Sequence, residues 1–259
     1  MTDISVSIVA YRNYEDIKAA IESIETYTNK EITKKIYIVD NSAQPENEAR
    51  AQFIAFVSQW EDVQYVDAKE NLGFGKGHNY VLSDLDSKYH AIVNPDILLV
   101  EDSFQTILSY MEQEDVGMVV PKLIYEDGEM IKAYRREVTI WDMFIRFCCP
   151  GMFGKRKAYH TMDDCDFSKA MDVPFAQGSF LVARTHLLQE LGGFDDRFFM
   201  YMEDADLCKR INQVSVVRYL PDTSVIHKWE RGSHKSSKLM KIHIQSMIRY
   251  FKKWGCKFV

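Results

Sequence analysis

An α/β fold, a parallel sheet wrapped by helices, is what this sequence predicts, and three observations predict it. Strand-like apolar runs alternate with helical patterns over the first hundred residues. Three polar clusters, Tyr11-Arg12-Asn13, Asp40-Asn41-Ser42 and Asn94-Pro95-Asp96, close three of those strands, and the carboxyl ends of parallel strands are where such sheets bind ligands. The chain of 259 residues, 46 % hydrophobic, is long enough to bury one large core.

Residues 4–10 form a β-rich apolar run of the kind that makes a buried strand. Ile17, Ala20, Ile21 and Ile24 then recur at i, i+3, i+4, i+7, the spacing of one helix face. A second strand covers 35–39 and a helix covers 49–57. A short third strand at 63–66 leads into a glycine-rich loop at 71–79, with helix expected from 80 to 85 and a fourth strand at 91–93. Beyond these lie a helix at 104–111, a strand at 116–120 and a turn at Asp127-Gly128. Residues 137–172 show no clear period, which marks them as functional or mobile and makes them the candidate acceptor-contacting segment. A strand at 180–183, a helix at 187–191 closed by Gly192-Gly193, a helix at 205–211 and a strand at 214–220 follow. A basic amphipathic stretch covers 236–253.

Bulk properties narrow the function classes. No apolar run approaches the ~18 residues that cross a bilayer, and the first residues lack a secretory pattern. Five cysteines without zinc-like spacing fit free thiols, so the cytoplasm is the expected compartment. The net charge is −6, yet from His227 onward nine lysines and arginines face one acid, Glu230. The acidic body disfavours nucleic acid as a partner. The basic tail, with Leu239, Ile242, Met247, Ile248, Phe251 and Trp254, suits an anionic membrane surface; a helix packed on the body or a homodimer contact is the equal alternative.

Several residues have side chains suited to chemistry. Asp40 ends a strand, where a carboxylate can accept from a ribose hydroxyl or a base N–H, or simply cap a helix. The segment Asn71-Leu72-Gly73-Phe74-Gly75-Lys76-Gly77-His78-Asn79 is neither a dinucleotide fingerprint, since His78 stands in the third glycine's place, nor a P-loop, since Gly77 follows Lys76. Its glycines and lysine suit close approach to a phosphate or base, or a sharp structural turn. Asp96 follows a buried strand and a proline, a place where a carboxylate can share Mg²⁺ or Mn²⁺ with a diphosphate. Glu203-Asp204 can supply a general base or merely favour a helix start. His227 is a metal or diphosphate ligand, or a structural histidine.

Taken in order, Val-Ser-Ile-Val-Ala-Tyr-Arg-Asn (6–13), Val-Asp-Asn-Ser (39–42), the 71–79 segment, Asn-Pro-Asp (94–96), Gly-Ser-Phe-Leu-Val-Ala-Arg (178–184), the Gly-Gly-Phe-Asp to Cys-Lys-Arg run (192–210) and His227 resemble GT-A-fold family 2 glycosyltransferases, in their rhamnosyltransferase-like branch. The resemblance spans about residues 4–234. It implies a Rossmann-like nucleotide-binding sheet flanked by helices in one catalytic domain, 1–226, followed by a basic tail, 227–259. Residues 1–100 would hold the nucleotide-sugar and 101–226 the acceptor. The nucleotide-sugar set would be Ala10, Tyr11, Arg12, Asp40, Asn71, Gly73, Gly75, Lys76, Asn79, Asn94, Pro95, Asp96 and Gly178. Asp204 matches the family's general base, with Glu203 supporting it. Asp96 matches the last acid of the family's D-x-D motif and would hold Mg²⁺ or Mn²⁺ with His227. Asn94 replaces the first acid of that motif, so metal binding leans on Asp96 and the donor's own phosphates. The implied reaction is inverting transfer of L-rhamnose from dTDP-L-rhamnose to a cell-surface polysaccharide or lipid-linked saccharide, on the inner face of the membrane. The alternatives are a UDP-sugar donor, or a non-catalytic nucleotide- or glycan-binding protein of the same fold.

Overall fold

The computed structural model describes residues 1–258 apart from 44, 46, 150 and 229–236. Glu230, Arg231 and Lys235 of the basic tail therefore lie outside the described residues. The first half alternates β1 (Thr2–Ala10), α1 (Tyr14–Tyr27), β2 (Lys34–Asp40), α2 (Glu48–Val57), β3 (Val63–Asp67), α3 (Phe74–Asn79) and β4 (Ser87–Val93). Then come β5 (Ile97–Leu99), α4 (Ser103–Gln113), β6 (Met118–Ile124), β7 (Tyr134–Arg135), α5 (Ile140–Cys148), α6 (Gly154–His160), β8 (Met171–Asp172) and β9 (Phe175–Ala176). The chain continues through β10 (Phe180–Arg184), α7 (Thr185–Glu190), α8 (Glu203–Val214), β11 (Val217–His227) and α9 (Ser237–Trp254).

The central sheet runs β3-β2-β1-β4-β10-β6-β11-β5, with β8 added on β11. Strands β3, β2, β1 and β4 are mutually parallel, as the alternating pattern predicts. Strand β10 then enters antiparallel to both β4 and β6, while β6 and β11 run parallel again. The strand ends Ala10, Asp40, Val93 and His227 consequently share one edge of the sheet.

Helix α1 exists because its apolar residues fall on one stripe: Ile17, Ala20, Ile21 and Ile24 are all fully buried, in one cluster with Ile4, Val6 and Ile8 of β1. Three expectations change. The 71–79 segment is not a loop throughout, because α3 begins at Phe74, and the helix expected at 80–85 is one 3₁₀ turn at Leu82–Asp84. The 137–172 segment, which shows no period, contains α5 and α6. Thr139 caps α5 by accepting from the Asp142 N–H at 3.1 Å, and Arg156 of α6 grips the Asp142 carboxylate with both Nε and Nη2 at 2.7 Å. A local cap and the Asp142–Arg156 pair join the two helices, while Met143 and Ile145 bury the apolar side of α5.

Helix α9 packs on the body. Its Tyr250 joins Val138, Met143, Phe198, Met202 and Ala205 in a buried cluster, and Lys253 pairs with Asp195 at 2.7 Å and Asp206 at 2.6 Å. Among the described residues no helix is long and apolar enough to cross a membrane.

The other face of β1 is polar and enclosed. Ser5 Oγ bonds Ser87 Oγ and His90 Nδ1, both at 2.7 Å. Ser7 Oγ bonds His90 Nε2 at 2.8 Å and His78 Nδ1 at 2.7 Å. These bonds offset much of the desolvation cost of burying the hydroxyls and the His90 ring, while His78 Nε2 is left buried without a partner. Burial brings both His78 and His90 down to about 3, so both are neutral at pH 7. Unfolded histidines protonate near 6.5, so between about pH 6 and pH 3 the unfolded chain binds more protons and stability falls as pH falls. Each histidine is expected to contribute a slope of about 1.4 kcal/mol per pH unit in that window. Urea unfolding midpoints from pH 7 to pH 4 measure it; with His160 also brought down to about 4 by burial, His78→Phe should remove about a third of the histidine share of the slope.

Candidate active site

A cavity of ≈ 390 Å³ opens at the carboxyl edge of the sheet, and its walls carry Asn94, Asp96, His227, Asp204, Arg135 and Arg146. Asp96 and Asp204, 108 positions apart in sequence, thus face one space.

The turn after β4 places Asp96. The Ile97 N–H donates to the Asn94 carbonyl at 3.2 Å across Pro95, and the Asn94 N–H donates to Ser179 at 2.8 Å. Strand β5 then pairs with β11, setting Ile97 opposite His227, which brings His227 Nε2 to 3.2 Å from Asp96 Oδ2. Two neighbouring ligands of an octahedral cation lie about 3 Å apart, so this pair fits one metal. The Asn94 Oδ1 is buried without a hydrogen-bond partner, a carbonyl oxygen of the kind Mg²⁺ and Mn²⁺ accept. Among the described residues no three His, Cys, Asp or Glu side chains gather, so these residues fit a cation that takes its other ligands from phosphate and water.

Asp204 sits in the first turn of α8. Its Oδ2 accepts from the Gly178 N–H at 3.1 Å and its Oδ1 from the Ala205 N–H at 2.8 Å. The two residues before the helix, Tyr201 (φ 69°) and Met202 (φ 70°), are both left-handed, a conformation that costs a side-chain-bearing residue of order 1–3 kcal/mol. Packing holds them there: Tyr201 stacks on His243 of α9 with ring centroids 4.5 Å apart, and Met202 is buried beside Tyr250. Burial raises both carboxyls of the Glu203–Asp204 pair. Glu203 is enclosed, with Oε2 lacking a partner, whereas Asp204 has its two N–H donors and Arg135 to favour its anion. The proton therefore resides on Glu203. It faces inward and is absent from the cavity wall, so its contact with the reacting groups is not direct.

The remaining expected nucleotide-site residues divide. Ala10 ends β1 inside the core, while Tyr11 and Arg12 are exposed just beyond it, with Arg12 at φ 65°. Asp40 does not offer a free carboxylate: Tyr14 Oη donates to it at 2.8 Å, Tyr65 Oη at 2.6 Å and the Ser42 N–H at 2.8 Å, and it is 1 % exposed. Asn79 is spent on structure, because its Nδ2 donates to the Phe194 carbonyl at 2.7 Å and its Oδ1 accepts the Phe194 N–H at 2.8 Å. Gly73 and Gly75 serve packing as well, since a Cβ there would lie 2.1 Å from the Phe199 carbonyl oxygen and 2.7 Å from Phe194 Cβ. Asn71 closes a turn by accepting the Gly73 N–H at 3.0 Å, and Lys76 is exposed. Gly178 acts on Asp204 through its N–H. The polar cavity residues outside the expected set are Arg135, Gln177, Tyr201, His243 and, from the 137–172 segment, Arg146 and His160.

A curled mixed sheet with an acid–histidine pair at its carboxyl edge and a second carboxylate across the cavity is the GT-A architecture of glycosyltransferases. The chain belongs to glycosyl transferase family 2, which it matches over residues 5–192; Asp204 and His227 lie beyond that span. It is 26 % identical over 189 residues to rhamnosyltransferase WbbL of Escherichia coli (strain K12), covering 69 % of each chain. It is 24 % identical over 246 residues to the N-acetylglucosaminyl-diphospho-decaprenol L-rhamnosyltransferase of Mycobacterium tuberculosis (strain CDC 1551 / Oshkosh), covering 88 % of this chain and 76 % of that one. Among solved structures, GalNAc-T7 with UDP, GalNAc and Mn²⁺ aligns with a TM-score of 0.70 at 14 % identity over 97 % of this chain, which spans about half, 48 %, of that protein.

A buried acid held protonated loses stability as pH rises through its folded-state pKa, because the unfolded carboxyl ionises readily there. Glu203→Gln should remove that loss. Its melting temperature is expected to change less than the wild type's between pH 5 and pH 9, with turnover at pH 7 within about fivefold, since a neutral amide mimics the protonated acid.

Proposed function

We propose that this protein is an inverting glycosyltransferase that moves L-rhamnose from dTDP-L-rhamnose to a hydroxyl of a cell-surface polysaccharide precursor carried on a lipid. The observation that carries the reading is that Asp96 with His227, and Asp204, line the same ≈ 390 Å³ cavity. The names of both relatives described above support the rhamnosyl donor, and the mycobacterial one names a diphospho-lipid acceptor.

Asp204 is the general base. Held by the N–H groups of Gly178 and Ala205, and with its pKa raised by burial, it takes the proton of the acceptor hydroxyl as that oxygen bonds the anomeric carbon. The bond to the nucleoside diphosphate breaks on the opposite face. Asp96 and Asp204 are the only carboxylates among the described residues of the cavity wall; with Asp96 assigned to the diphosphate, no second acid remains as a covalent nucleophile, and one displacement inverts the centre. Asp96 and His227, with the Asn94 amide oxygen beside them, would hold Mg²⁺ or Mn²⁺. Such a cation, when bound, neutralises charge on the departing diphosphate. Tyr11 and Arg12, exposed at the end of β1, would meet the nucleotide. Exposed Ile244 and Ile248 beside Lys241 and Lys252 on α9 support peripheral contact with an anionic membrane.

Asp204→Asn is expected to lower turnover about a thousandfold while donor affinity, by calorimetry, stays within about threefold; unchanged turnover would reject the base. A thermal-shift panel of nucleotide-sugars with Mn²⁺ or Mg²⁺ tests the donor. dTDP-L-rhamnose should give the largest shift, EDTA should abolish turnover, and Asp96→Ala should raise the half-saturating Mn²⁺ at least tenfold. A shift with UDP-sugars alone would transfer the assignment to a UDP-sugar donor.

A further inference from the structure

We propose that Arg135 and Arg146 form an oxyanion subsite, so that the acceptor carries a phosphate or carboxylate close to the hydroxyl that receives the sugar. The inference rests on the reading above only in calling the bound molecule an acceptor. Arg135 comes from β7 and Arg146 from α5, and both line the cavity that holds Asp204.

Their place in the cavity, together with their lack of an acid, sets them apart. Arg50, Arg136, Arg156, Arg197, Arg210 and Arg218 each close on a carboxylate, and Arg184, which closes on backbone carbonyls instead, lies away from the cavity wall. Neither Arg135 nor Arg146 has an acid within ion-pair distance among the described residues. Arg135 is fixed by donating Nη1 to the carbonyls of Lys132 at 2.7 Å and Tyr134 at 3.1 Å, which leaves the rest of its fork unspent. The Arg146 guanidinium makes no hydrogen bond among the described residues; its side chain lies over the Phe147 ring at 5.7 Å. The nearby Asp142 is already neutralised by Arg156.

Two guanidinium groups therefore face one carboxylate, Asp204, whose oxygens already accept two backbone N–H groups. Burial, and then the neighbouring Arg146, bring Arg135 down to about 10, so it is still a cation at neutral pH. The cavity side near Asp204 thus carries excess positive charge, from the half-buried Arg135 and from Arg146 at the exposed rim, and the planar forks suit two-point contact with an oxyanion. Both arginines feel the charge of Asp204, and they line the cavity with it, so we place the subsite with the acceptor.

The test titrates glucose 1-phosphate, glucuronic acid and, as the neutral control, glucose into the full chain with dTDP and Mn²⁺ saturating, by calorimetry or ligand-observed NMR. At least one anion is expected to bind tenfold or more tighter than glucose: glucose 1-phosphate if the group is a phosphate ester, glucuronate if it is a carboxylate. Arg146→Gln, whose side chain supports no internal hydrogen bond, should bring that anion to the level of glucose while dTDP affinity and melting temperature stay unchanged. Arg135→Lys, checked first for a wild-type melting temperature, should weaken it at least fivefold. Anions binding no better than glucose, anions displaced by dTDP, or an Arg146→Gln protein binding like wild type would overturn the subsite. A failure of dTDP itself to bind would count against the donor reading alone, and the anion titration is then made without it.

Discussion

Two left-handed residues in succession, Tyr201 and Met202, determine how the chain enters α8 and therefore where Asp204 points. Neither is a glycine, so the conformation persists only because the surroundings over-determine it. His243 stacks on Tyr201, Ser246 Oγ donates to the Met200 carbonyl at 2.8 Å, and Tyr250 packs on Met202. All three braces come from one face of α9. The Gly178 N–H, arriving from the approach to β10, fixes the carboxylate from the other side. Position and protonation state of the acid thus derive from three segments that meet at one turn.

The reversal at β10 has a comparable effect on the opposite wall. Because β10 runs antiparallel between β4 and β6, the chain before it passes over the same sheet edge at which β1, β2 and β4 end. The Asn94 N–H bonds Ser179 there, and the antiparallel pairing of β5 with β11 sets Asp96 against His227. A wholly parallel sheet would have sent these segments to the far edge. The departure from the simple alternating pattern is what gathers the two carboxylates.

The helices and strands of the first hundred residues were legible because one periodic apolar stripe decides each of them: Ile17, Ala20, Ile21 and Ile24 read as a helix face and are one. Asp96, Asp204 and His227 were singled out by an ordered set of motifs, each weak alone, and the structure brings them to one cavity. What escaped depended on distant partners. Asp40 looks like an open strand-end acid until Tyr14 and Tyr65 close on it from elsewhere in the chain. Gly73 and Gly75 look like a phosphate cradle, yet the atoms that forbid a side chain there belong to Phe199 and Phe194. Arg146 lies in the 137–172 segment that was singled out as a whole but not residue by residue, and Arg135 comes from the two-residue strand β7, too short to leave a pattern in the sequence.

The dependence of Asp204 on α9 also has a temporal side. Tyr250 is translated 46 positions after Asp204, so a nascent chain that already carries Asp96, Asp204 and His227 still lacks the helix that orients the Asp204 carboxylate. Until the ribosome has delivered that helix, the turn at Tyr201 and Met202 lacks the packing that holds its left-handed backbone.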